Sequence, residues 1–329
     1  MRVGGQLKAY RTYAEQVALL GERGMLIDDE ASAAAVLARV NYYRLSGYWY
    51  PFRVLRDGGR ADAFYPGTRF DDVVALYEFD ARLRAATFEA LMPIELAVRT
   101  LLGHELGRVD PQAHLDPSLL GAVARKGWDH AKWMKRYKAV LERSREDFVA
   151  HHQQKYGGQM PVWVAVELLD WGSLSRLYDF SPRPVQEAVA GACSLRAPQL
   201  GSWLKVLNVA RNTCAHHGRY FNRVHALTPK LPRAGVHRDL DAVDADWTRT
   251  FGQLTLIQFL LDRLGVGSAE LLPEVVATFP EIRLLPLSHM GVPVGWRDSS
   301  PIWRGRCVMH VPVLLVRVPR RWRRRRAQG

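Results

Sequence analysis

Apolar residues along this chain recur at the 3.6-residue period of helices and almost nowhere alternate at the two-residue period of strands. Val17 and Leu20, with Tyr10 and Tyr13 before them, define a short amphipathic helix over Leu7 to Gly24. Asp28 or Asp29 then caps an alanine-rich helix over Ala31 to Val40, since a short carboxylate satisfies the free N–H groups of a first turn. Residues 54–69 read as a polar connection. Phe70 to Gly107 is the longest pattern, and Pro93 inside it predicts a kink or a division. A loop-rich passage over 108–128 leads into a highly charged helix from His130 to Tyr156, read as a solvated face. Pro161 to Tyr178 follows as one helix with Trp163 and Leu174 in the core. Leu200, Trp203, Leu204, Leu207 and Val209 stripe a helix over 197–221, and Trp247 to Leu264 is a strongly amphipathic helix. These elements predict an all-α protein in which the helix over 197–221 packs against 70–107 and 247–264.

The chain divides by pattern into an N-terminal helical and aromatic region (1–69), a helical core (70–270), a C-terminal segment (271–303) and a basic, disordered tail (304–329). With 48 % hydrophobic residues it can bury a sizeable core, yet no run of eighteen apolar residues occurs, so no membrane span is expected. Met1 to Lys8 lacks the apolar stretch of a secretory leader. Three scattered cysteines (Cys193, Cys214, Cys307) suit a reducing compartment better than a disulfide framework, so a cytoplasmic location is expected. Nine Arg and no acidic residue lie between Arg304 and Gly329, leaving four of the thirteen formal positive charges for residues 1–303. Most of the basic excess therefore belongs to the tail, which could bind nucleic acid nonspecifically. Any nucleic-acid contact of the body must come from local clustering.

One segment concentrates chemistry. Leu207 to Arg223 contains Arg211, Asn212, His216, His217, Arg219, Asn222 and Arg223. On a continuous helix Asn212, His216 and Tyr220 share a face, with Arg219 beside His216. Arg211 and His216 are five residues apart, about 140° around the helix. They could share a site only through the long arginine side chain or a local distortion, and Gly218 is a plausible place for the helix to loosen. No Gly-rich phosphate loop, CxxC pair or HExxH occurs, so no cofactor is expected. His216, His217, His225, His237 and Cys214 match no tetrahedral zinc spacing, so no metal site is expected either.

Arg211-Asn-Thr-Cys-Ala-His216 resembles the Arg-x4-6-His motif of HEPN ribonucleases. The longer string through Asn222-Arg223 resembles the Abi-like proteins (AbiD/AbiF-type abortive infection proteins) of that superfamily. So do Asn41-Tyr-Tyr-Arg-Leu-Ser-Gly-Tyr48, Tyr77-Glu-Phe-Asp-Ala-Arg-Leu-Arg84, Ile94-Glu-Leu-Ala-Val-Arg99, the Pro161–Tyr178 helix and Met290-Gly-Val-Pro-Val-Gly-Trp296. The resemblance spans roughly residues 7–303 and implies a HEPN-like helical bundle with an N-terminal helical extension. It implies a metal-independent RNA endonuclease of an anti-phage, toxin-type system, with Arg211, Asn212 and His216 as catalytic residues. Such enzymes leave a 2′,3′-cyclic phosphate and a 5′-OH. They pair two Arg/His motifs across a dimer, so a homodimer is implied, and an RNA or protein antidote is possible. His217, Arg219, Asn222, Arg223, Arg44, Arg99 and Glu95 are supporting or RNA-binding candidates, with Glu95 or Arg99 placed to orient Arg211. The alternative from a different class is a non-catalytic RNA-binding regulator or scaffold of the same fold. For the aromatic block Asn41–Arg53 the two readings are an RNA-stacking platform carrying Arg44 and Arg53, and a buried seam.

Overall fold

The computed structural model describes residues 8–304, and within them the fold is all-α with one small hairpin. In chain order the helices are α1 (Tyr13–Glu22), α2 (Glu30–Val40), α3 (Tyr42–Trp49), α4 (Phe70–Gly107), α5 (Ala122–Arg125), α6 (Asp129–Arg143), α7 (Asp147–Tyr156) and α8 (Val162–Ala165). They continue with α9 (Trp171–Phe180), α10 (Arg183–Ala192), α11 (Ala197–Ala215), α12 (Arg238–Asp241), α13 (Thr250–Leu264), α14 (Leu271–Ala277) and α15 (Trp296–Ser299). The expected tail lies almost entirely outside the described residues, as does Leu7.

The first helix starts later than its apolar spacing suggested. Thr12 caps it through the N–H of Glu15, and Tyr10 and Tyr13 stay exposed while Val17 and Leu20 are buried. Of the two candidate caps for α2, Asp29 accepts from the Ser32 N–H, and Asp28 instead pairs with Arg69. The connection over 54–69 holds an antiparallel hairpin, β1 (Arg53–Arg56) and β2 (Gly59–Phe64). Asp57-Gly58 forms its tip, an Asp-Gly turn suited to a two-residue loop.

Helix α4 is the mast of the fold. Its 38 residues span about 57 Å, and α3, α8, α10, α11, α13 and α14 all pack on it. The expected division at Pro93 does not occur. A proline inside a helix costs about 3 kcal/mol, but burial of Leu91, Ile94 and Val98 on either side holds the helix together. The carbonyl that loses its partner belongs to exposed Glu89, where water can take it. The ring of Pro93 also lies against Gly267, where a Cβ would sit 3.0 Å from Pro93 Cγ.

Two further predicted helices are broken. The charged segment divides into α6 and α7 at Ser144–Glu146, where the backbone turns extended. Pro161–Tyr178 divides into α8, a 3-10 turn over Val166–Leu168 and α9, because Asp170 caps the Ser173 N–H at 2.7 Å and starts a new helix. Leu174 is core as expected, but Trp163 is half exposed. Its indole lies flat on a glycine face of α4, where a Cβ on Gly107 would fall 2.7 Å from the ring. Helix α13 is buried all round where an amphipathic helix is expected, and α11 packs against both α13 and α4, as the periodicity predicted.

Candidate active site

Helix α11 fixes the site by burying Leu200, Trp203, Leu204 and Leu207, which turns Arg211 and Asn212 outward in its last turns. The Arg211 guanidinium lies 5.2 Å from the centroid of the Phe88 ring on α4. This is a cation–π arrangement that holds its plane. Its Nη1 is 3.5 Å from Asn212 Oδ1, and Asn212 Nδ2 is 3.5 Å from Asn208 Oδ1, both at the outer limit of hydrogen bonding. The Nε of Arg211 is buried without a partner. Asp170 is near enough for its charge to feel Arg211. Partial burial pushes the Asp170 carboxyl up, but bonds from Ser173 and the charges of Arg136 and Arg211 outweigh this and hold it below its ordinary value.

The helix does not run to 221. It ends at Ala215, with His216 as its cap residue. The His217 N–H donates to the Cys214 carbonyl at 3.2 Å and the Gly218 N–H to the Thr213 carbonyl at 2.8 Å, the double bond pattern of a Schellman stop. The left-handed residue of that stop is His217, at φ 55°, not Gly218. Tyr220 consequently leaves the Asn212–His216 face and is wholly buried. His216 is exposed, and its imidazole makes no hydrogen bond among the described residues. Cys214 is buried, and burial pushes its thiol up to about 12, so it is no nucleophile.

The segment after the stop is fastened to the N-terminal region. Arg44 Nη1 donates to the His217 carbonyl at 2.7 Å, and Arg219 donates to the Gly47 carbonyl. Beneath them Asp80 of α4 gathers four donors. These are the Tyr48 hydroxyl at 2.6 Å, the Arg84 guanidinium, the Tyr220 N–H at 3.1 Å and the Phe221 N–H at 2.7 Å. Burial drives the Asp80 carboxyl upward against the pull of these partners. Sequence reasoning gave Asp80, Arg84 and Tyr48 no role. A signal existed: Leu76, Asp80, Leu83 and Thr87 follow the buried stripe, so a carboxylate there needs a buried counter-charge.

The remaining candidates divide. Arg99 bonds Glu95 at 2.8 Å, the Leu169 carbonyl at 3.0 Å and Glu167 at 3.5 Å, which ties α4 to the start of α9. Neither Glu95 nor Arg99 hydrogen-bonds Arg211 among the described residues. Asn222 receives a bond from Arg249 at 3.4 Å, and Arg223 is exposed. The aromatic block splits likewise. Tyr48, Trp49 and Phe52 are core, Tyr43 and Arg44 lie outside, and Arg53 pairs with Asp62. Among the described residues no three His, Cys, Asp or Glu side chains cluster as a metal site, and no helix is long and apolar enough to cross a membrane.

Fold and site together define an all-α protein that carries Arg211 and His216 near the end of α11, ahead of a turn braced by a buried carboxylate. The sequence profile of the Abi-like protein family matches residues 35–222, more than half of the chain, and the protein belongs to that family. The match stops short of Met290–Trp296. No curated protein and no solved structure matches.

Proposed function

We propose that this protein is a metal-independent RNA endonuclease of the HEPN type, acting in abortive-infection defence. The observation that supports the reading is the placement of Arg211 and His216 near one helix end, both reachable from solvent, with Arg211 against the Phe88 ring and the residue after His216 held by Arg44. RNA brings its own nucleophile. The 2′-OH attacks phosphorus, the bond to the 5′-oxygen breaks, and the products are a 2′,3′-cyclic phosphate and a 5′-OH. His216 moves protons in this exchange, because an imidazole titrates near neutrality. Arg211 bears on the phosphoryl oxygens, where charge builds in the transition state.

One chain offers one such pair. The face of α4 beside Arg211 carries Phe88, Met92 and Leu96 four residues apart, and Met92 and Leu96 are about half exposed. Two large apolar side chains in a row next to the site support an isologous homodimer that brings two Arg/His pairs together. The test is incubation of purified protein with total RNA in EDTA, followed by mapping of fragment ends. Cleavage with cyclic-phosphate ends that disappears in His216→Ala supports the enzyme. RNA bound tightly but never cut transfers the site to the non-catalytic reading, a regulator or scaffold.

A further inference from the structure

A second concave site lies at the N-terminal end of α3. The segment before α1, helix α1 itself and the α2–α3 junction enclose a groove of about 600 Å³. Lys8, Tyr10, Arg11, Tyr13, Gln16 and Tyr43 mark out its working surface, and among the described residues no Asp or Glu lines it. Tyr10 is 88 % exposed and Tyr43 64 %, an uncommon state for two aromatic rings facing one hollow. Tyr43 is nevertheless well supported. Its ring stands edge-on to Tyr42 at 5.7 Å, the Tyr42 hydroxyl is fixed by Arg23 at 3.1 Å, and Asn41 Oδ1 caps the Tyr43 N–H at 2.8 Å. Lys8 Nζ lies over the Tyr43 ring, 5.6 Å from its centroid, which brings a cation onto the aromatic face.

One further atom points to a ligand. Gln16 donates through Nε2 to the Arg11 carbonyl at 2.9 Å, yet its Oε1 is buried with no hydrogen-bond partner. A buried acceptor left empty is costly, and Gln16 is one of the residues that line the groove. Exposed aromatic faces and the cations of Lys8 and Arg11, the latter near enough for its charge to feel Glu15, are the complement of a nucleotide, with a base to stack and a phosphate to neutralise.

We propose that this groove binds a nucleotide of single-stranded RNA, with the base on Tyr43 and the phosphate on Lys8 and Arg11. The proposal rests on the endonuclease reading above only for its connection to catalysis. That connection is short. Arg44, next in the chain to Tyr43, holds the His217 carbonyl, so a strand seated on Tyr43 is led along α3 to His216. The groove thus selects unpaired RNA, because only an unstacked base can lie on the ring.

Binding of a short fluorescein-labelled single strand to His216→Ala protein tests this without requiring cleavage. Loss of one stacking partner should weaken binding about tenfold in Tyr43→Ala. Tyr43→Trp should keep full affinity, and duplex RNA should show no dependence on Tyr43. Tyr156→Ala removes a tyrosine of similar exposure with a lysine 5.4 Å from its ring, and should leave binding unchanged. Photo-crosslinking with 4-thiouridine RNA should label the peptides containing Tyr10, Tyr13 or Tyr43. Equal affinity of Tyr43→Ala and parent, or crosslinks only elsewhere, would overturn the proposal. So would saturation of the groove by AMP or UMP that the single strand fails to displace, since the site would then take a free nucleotide. Tyr43-dependent binding without cleavage by the parent protein sinks the endonuclease reading and leaves the groove standing. Cleavage that ignores Tyr43 does the reverse.

Discussion

Asp80→Ala is the substitution that most directly tests how the turn after α11 is held. Asp80 is fully buried and Arg84 nearly so, and removing one partner of such a pair strands the other charge at about 3–5 kcal/mol. The substitution also orphans the Tyr220 and Phe221 N–H groups, at about 1–3 kcal/mol each where water cannot reach them. Against a total stability of about 5–15 kcal/mol, Asp80→Ala should remove a large share or prevent folding. Arg84→Met should cost about 2–3 kcal/mol, because Asp80 keeps the Tyr48 hydroxyl and two backbone donors. Asp80→Leu/Arg84→Met leaves no buried charge, so it should recover most of the ionic loss and retain that of the two amides and of the Tyr48 hydroxyl, which loses both its partners. Urea unfolding of the three variants gives the ranking. Hydrogen exchange at Tyr220 and Phe221 reports the amides separately, and it should quicken in both Asp80 variants but hardly in Arg84→Met. Equal costs for Asp80→Ala and Arg84→Met, or unchanged exchange at Tyr220 and Phe221, would refute the claim that Asp80 braces the turn.

Four further outcomes are expected. His216→Ala, verified as folded, should lower cleavage by about 10²–10⁴-fold, and Arg211→Lys should fail to restore an Arg211→Ala loss because an ammonium lacks the guanidinium fork and its stacking on Phe88; full activity in either variant would remove that residue from the site. His217→Gly should stabilise the protein by about 1 kcal/mol in denaturant melts, since glycine adopts φ 55° without the Cβ penalty, and a destabilisation would mean that the imidazole packs. Burial pushes His114 and His225 down from 6.5 to about 4; the unfolded chain therefore takes up their protons first, stability is complete above about pH 6.5, and about 3 kcal/mol per histidine is lost as pH falls toward 4, a slope that His114→Phe should reduce in thermal melts. Deleting residues 304–329 removes nine arginines and should lower the log–log salt slope of RNA binding by roughly 0.7 for each phosphate the tail had neutralised, with turnover at saturating RNA unchanged; a fall in turnover would make the tail part of the site.

Much of this architecture was legible from apolar periodicity, and what was not has a common physical cause. Periodicity reveals which face of a helix is buried, so the packing of α11 against α4 and α13 could be read from Leu200, Leu207 and Leu254. It is silent about where a helix stops when polar residues make the stop. Asp170 and the Ser144–Glu146 turn break predicted helices with single local bonds, and His217 ends α11 in a conformation usually left to glycine. It is equally silent about partners far apart in the chain. Asp80 meets Tyr48 across 32 residues and Phe221 across 141, and no local pattern names either partner. The family match makes sense of this. Residues 35–222 enclose Arg44, Gly47, Tyr48, Asp80, Arg84, Arg211, His217, Arg219, Tyr220 and Phe221, most of the groups that hold the turn after α11; Thr250, whose hydroxyl donates to the Tyr220 carbonyl at 2.6 Å, lies beyond them. The Asn41–Tyr48 and Tyr77–Arg84 stretches, distant from the Arg/His pair in sequence, therefore belong to the same device. They supply the buried carboxylate and the two arginine-to-carbonyl clasps that keep His216 in place at the end of a helix that has already stopped.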